Sequence, residues 1–123
     1  KTHIAIKNSH DLTLFGTGKP TRELLHVKDL CRAIRLAMEL YDQPDPINIG
    51  TGIDVSIAVL ASMVTKIMGF TGKIVWDDNY PDGQMSRRLD TSKAKRLLGF
   101  ESKIKLEDAI VELITWYNNT YRV

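Results

Sequence analysis

Residues 15–29 read FGTGKPTRELLHVKD. The apolar run Leu12 to Phe15 that leads into them predicts a short strand, and Gly16, Gly18 and Pro20 break it into a turn. Glycine reaches backbone conformations closed to other residues, and proline fixes its own φ. Such a turn aims Arg22 in one direction. A guanidinium held in place is a planar fork that matches a phosphate or carboxylate. The alternative is a surface hairpin closed by an Arg22–Glu23 ion pair. After the turn, Leu24 to Val27 predicts a second short strand.

A helix follows. Val27, Leu30, Ala33, Ile34, Ala37, Met38 and Tyr41 recur at the spacing of one helical face. Asp29 stands in its first turn, where the helix dipole favours a negative charge, and Pro44 and Pro46 close it. Cys31 borders the apolar face and reads as a partly buried, unreactive thiol. Ile47 to Gly52 predicts a strand ending in a glycine turn. Ser56 is the expected N-cap of the next helix, with Ile57, Leu60, Ala61, Val64, Ile67 and Met68 on its apolar side and Gly69 as its stop. Lys73 to Trp76 predicts a strand. Asp77 to Asp90 has no period and predicts a loop. Asp90 or Thr91 caps a short helix bearing Ala94, Leu97 and Leu98 and stopped by Gly99. A last helix starts near Leu106 and reaches Tyr117 or beyond. The first ten residues resemble the tail of a helix. The sum is a mixed α/β fold of about four helices with short strands, in one domain over residues 1–123.

Composition narrows the function classes. Hydrophobic residues make up 43% and charged residues 26% of the 123, with a net charge of +2. That balance suits a folded domain and gives no bulk charge for nucleic acid. No apolar run approaches the roughly 20 residues that cross a bilayer. The single cysteine forbids an intrachain disulfide, which suits a reducing, cytoplasmic compartment. The chain opens with Lys1 and reads as a piece of a longer polypeptide.

A second segment, PDGQMSRRLD at residues 81–90, pairs a tight-turn signal with two arginines. One reading is a solvated loop. The other sets Arg87 or Arg88 opposite Arg22 across a shared pocket, where two cations clamp an anion. His26 follows two leucines and reads as structural. The turn Gly50-Thr51-Gly52 is too short for a dinucleotide fingerprint.

Phe15, Gly16, Gly18, Pro20, Arg22, Glu23, Leu25, His26, Val27 and Asp29 together resemble the C-terminal part of extended short-chain dehydrogenase/reductases, the nucleotide-sugar epimerases and dehydratases. Within that family the Pro81-Asp82-Gly83 loop is most similar to the GDP-L-fucose synthase branch, and it lacks the Arg-Pro-Gly-Asp of the UDP-galactose epimerases. The resemblance implies that Phe15 takes the place of a pocket aromatic, usually Trp, and that Arg87 falls on the family's diphosphate-binding lysine, with Arg88 beside it. It implies a nucleotide-sugar substrate such as GDP-4-keto-6-deoxymannose, and reduction by NADPH held in a Rossmann half that this stretch does not contain. A homodimer is implied for the whole enzyme. No glycine-rich dinucleotide motif and no Tyr-x-x-x-Lys stand in these residues, so no catalytic residue is assigned and the chain alone is expected to be inactive. Another nucleotide-sugar epimerase or dehydratase, a stand-alone nucleotide-binding module and a purely structural domain are the competing readings. A domain parted from its neighbour is also expected to self-associate.

Overall fold

The computed structural model describes residues 1–8 and 10–121. Its order is α1 (Thr2–Asn8), β1 (Leu12–Phe15), β2 (Thr21–Glu23), α2 (Val27–Leu40), β3 (Asp54–Ser56), α3 (Ile57–Ile67), β4 (Ile74–Asp77), α4 (Ser92–Leu98) and α5 (Leu106–Tyr121). Mixed α/β is the result, with one more helix than the sequence counts, because the start forms α1.

Strand β1 pairs in parallel with β4, Leu12 against Ile74 and Phe15 against Asp77. Strand β2 pairs antiparallel with β3, Thr21 against Ser56 and Glu23 against Asp54. The sequence reading put the second strand at Leu24 to Val27. The structure moves it back to Thr21–Glu23, because Val27 already opens α2 and His26 caps it, its Nδ1 accepting from the Lys28 N–H at 3.2 Å. It also assigns no strand at Ile47 to Ile49 and finds one at β3, which follows the turn directly.

The glycine turn after β1 has two positive-φ residues, Gly16 at 79° and Gly18 at 72°. The Trp76 ring of β4 fills the space beside Gly18, so a Cβ there would sit 2.6 Å from it. The turn and the parallel pair therefore lock each other.

The core gathers Ala33 of α2, Ala94 and Leu98 of α4, and Phe100. Gly99 at φ 60° reverses the chain, the N–H of Phe100 returns to the Ala94 carbonyl at 3.3 Å, and the ring drops into the core. Leu25, Leu36, Ala37, Tyr41, Ile47 and Ile49 pack around it. Asp29 is buried rather than merely placed at a dipole. Its carboxylate accepts from the N–H groups of Lys103 at 2.8 Å and Ile104 at 2.9 Å and from Arg32 at 2.9 Å. These bonds tie α2 to the segment that leads into α5.

One expectation about α2 fails in part. Of its apolar face, Ala33 is buried, but Val27 is 62% exposed, Ile34 50% and Met38 83%. Cys31, expected to be partly buried, is exposed too. The helix turns Ala33, Leu36 and Ala37 toward the core, and the stripe of larger residues looks outward. Among the described residues no helix is long and apolar enough to cross a membrane.

Candidate functional site

Residues 82–89 lie along residues 17–23 as an extra, irregular layer. Thr17 donates to Asp82 from its backbone N–H at 2.8 Å and from its hydroxyl at 2.5 Å. The N–H of Thr21 reaches the Met85 carbonyl at 2.7 Å. The Asp54 carboxylate on β3 accepts from the hydroxyls of Thr21 at 2.5 Å and Ser86 at 3.3 Å. That Thr21 bond leads the causes that hold the Asp54 carboxyl below its usual range, with its own backbone N–H, Ser86 and the charge of Arg88 adding to it against desolvation. The Thr17 hydroxyl, then the Thr17 N–H and the charge on Lys19, do the same for Asp82. Both carboxylates stay ionised at neutral pH and keep the loop fastened.

Arg22 and Glu23 do not pair with each other. Arg22, half-buried on β2, donates from Nη1 to its neighbour Thr21 O at 2.6 Å and to Gln84 O at 2.7 Å. Glu23 points the other way along the strand, as neighbours on a strand do. It accepts from the N–H groups of Thr51 at 2.5 Å, Gly52 at 3.0 Å and Leu89 at 2.7 Å. The hairpin ion pair considered from sequence is thus replaced by two separate sets of backbone bonds.

Arg87 also bonds Gln84, its Nε donating to the side-chain oxygen at 2.6 Å. Arg22 and Arg87 therefore meet on one residue. They line different cavities. Arg22 shares a small one of about 140 Å³ with Phe15, Pro20, Ile57 and Asp82. Arg87 and Arg88 line one of about 660 Å³ with Glu23, Leu25, Ile49, Gln84 and Leu89. The sequence reading set Arg87 or Arg88 opposite Arg22 across a shared pocket; the structure gives them separate cavities and links Arg22 and Arg87 only through Gln84, by its carbonyl and its side chain. Arg87 and Arg88 are exposed, so salt and solvent weaken their pull on an anion.

Phe15 is not core. The residue is 57% exposed, and its ring stacks on Tyr80 with centroids 4.0 Å apart. The Lys1 ammonium lies over the Phe15 ring at 4.0 Å, so the two stacked rings stand beside Arg22 with a further cation on them. Sequence reasoning missed Tyr80 and Gln84. Tyr80 stands directly before the Pro-Asp-Gly turn, and that position was its only signal. His26 stays structural, its Nε2 lying 3.8 Å from Glu112.

Residues 2–50 match the NAD dependent epimerase/dehydratase family. GDP-L-fucose synthase 1 of Arabidopsis thaliana is 37% identical over 112 residues, 91% of this chain and 34% of its own. This chain belongs to the NAD-dependent epimerase/dehydratase family. It corresponds to the C-terminal part of the family's enzymes. A solved GDP-L-fucose synthetase from Naegleria fowleri bound to NADP superimposes with a TM-score of 0.92 at 29% identity, covering 99% of this chain and 39% of that one. The UDP-glucose 4-epimerase of Thermotoga maritima with UDP-glucose gives 0.83 at 28% identity, covering 98% and 38%. The epimerase/dehydratase chain thus spans about a third of the length of the curated relatives it matches.

Proposed function

We propose that this chain supplies the nucleotide-sugar-binding surface of an NADP-dependent epimerase/reductase of the GDP-L-fucose synthase kind. The observation that carries the reading is the convergence of Arg22 and Arg87 on Gln84, beside the Phe15–Tyr80 stack. A nucleoside diphosphate sugar has two charges between two flatter groups, and this surface offers cations next to rings. Arg22 and Arg87 take the diphosphate, Arg88 adds charge at the rim, and Phe15 borders the site beside Arg22. GDP-4-keto-6-deoxymannose is the substrate proposed for the whole enzyme, acting in the cytoplasm as a homodimer.

NADP belongs to the rest of that enzyme. The turn at Gly50–Gly52 does not fit a cofactor phosphate, because the Glu23 carboxylate already takes the N–H groups of Thr51 and Gly52. The chain by itself is accordingly inactive in this reading.

A UDP-sugar enzyme is the second reading, favoured by the likeness to the UDP-glucose epimerase. Nuclear magnetic resonance titration of the chain with GDP, UDP, ADP and CDP separates the readings. The proposal predicts that GDP shifts the signals of Arg22 and residues 84–89 most. UDP acting more strongly would favour the second reading, and no response from any nucleotide would sink both.

A further inference from the structure

We infer that Glu23 is a positioning residue, a clasp that sets where the Arg87–Arg88 loop stands; the inference rests on the nucleotide-binding reading only for its functional consequence. Glu23 lines the same cavity as both arginines. A carboxylate there would repel a diphosphate if it faced the cavity as a free anion. It does not, since both of its oxygens are taken. Oε1 accepts the N–H groups of Thr51 and Gly52, and Oε2 accepts the N–H of Leu89. Three backbone donors spread the charge and stitch together β2, the turn after Ile49 and the loop that carries Arg87 and Arg88.

Gly50 belongs to the same device. A Cβ at residue 50 would lie 1.9 Å from Glu23 Oε1 and 3.3 Å from the Leu89 side chain. Its φ is not positive, so backbone freedom does not require glycine here. Room for the carboxylate does. Glu23 and Gly50 are thus one unit: the acid can reach the two amides only where residue 50 has no side chain.

The consequence is that Arg87 and Arg88 can be displaced without touching either. Glu23→Gln keeps the shape and removes the charge, placing an NH2 group where only acceptors fit. Gly50→Ala keeps the charge and takes away its place. Each breaks at least one arm of the clasp, at Leu89 or at Thr51 and Gly52, and loosens the tie between residues 86–89 and β2.

The test uses amide hydrogen exchange and GDP titration on the wild-type chain, on the single variants Glu23→Gln and Gly50→Ala, and on the double variant Glu23→Ala/Gly50→Ala with Glu23→Ala as its reference. Losing bonds to a charged acceptor predicts exchange faster by about tenfold or more at Leu89 or at Thr51 and Gly52 in both single variants, with α2 and α5 protected as before. The double variant falls short of the sum of Glu23→Ala and Gly50→Ala measured singly, since without the carboxylate the added methyl meets less. GDP affinity falls in both single variants while the helices stay intact. Unchanged exchange at all three amides, Leu89, Thr51 and Gly52, in Glu23→Gln overturns the clasp whatever GDP does. Faster exchange with unchanged GDP affinity overturns its role in the site. If wild type does not bind GDP, the nucleotide reading falls, the consequence falls with it, and exchange at Leu89, Thr51 and Gly52 still decides the clasp.

Discussion

Gly18 and Asp29 show how single side chains decide this structure. At Gly18 a positive φ and the Trp76 ring act together. Gly18→Ala is expected to cost about 2 kcal/mol or more, read as a lower thermal midpoint. Asp29 carries the opposite lesson, a charge that belongs inside. Burial pushes its carboxyl up, but the Ile104 N–H, the Arg32 guanidinium and the Lys103 N–H outweigh burial and hold it below the usual value. A folded-state value below the unfolded one means that the ion stabilises the fold above about pH 4, and that this is lost as pH falls through the folded value. Asp29→Asn should therefore lose about 2 kcal/mol at neutral pH. The gap to wild type should narrow in melts below about pH 4. A gap that stays constant across pH would contradict this sign. The burial was not legible from sequence, where Asp29 reads as a helix-dipole residue; Arg32 is three positions on, but the two backbone donors lie 74 and 75 positions away. Arg22 was legible as a fixed guanidinium. What fixes it, the Gln84 carbonyl, was not.

Local signals set most elements, and the failures occur where tertiary pairing overrides them. Ser56 caps α3 with its hydroxyl on the Val59 N–H, and Gly99 ends α4 in the left-handed region, both as the residue types foretell. Strand β2 was misplaced because its ladder partner β3 is three residues long and polar at both ends. The segment at Ile47 was read as a strand ending in a glycine turn, yet its isoleucines serve the α2–α4 core instead. That core turns on a close approach of helices at Ala33 and Ala94, both wholly buried. Ala94→Leu should overfill the contact and cost about 1–3 kcal/mol, seen as a lower denaturant midpoint with an unchanged slope. A neutral effect would mean that α2 and α4 can part without loss.

At the scale of the molecule, apolar surface and a polar site lie apart. Val27, Ile34 and Met38 form an uncovered stripe on α2, and Trp116 on α5 is 54% exposed. Surface of this kind drives association. Sedimentation of the chain should show weak, concentration-dependent self-association, and Ile34→Lys with Met38→Lys should abolish it. A wild-type monomer at every concentration would count against the expectation. The polar site is built by residues 17–23 and 82–89, and its meaning rests on charge. The most direct measurement of the central claim is a calorimetric titration of GDP into wild type and Arg22→Ala at low and high salt. The account predicts binding that weakens with salt and falls roughly threefold to tenfold in the variant. Affinity indifferent to both salt and the loss of Arg22 would contradict it.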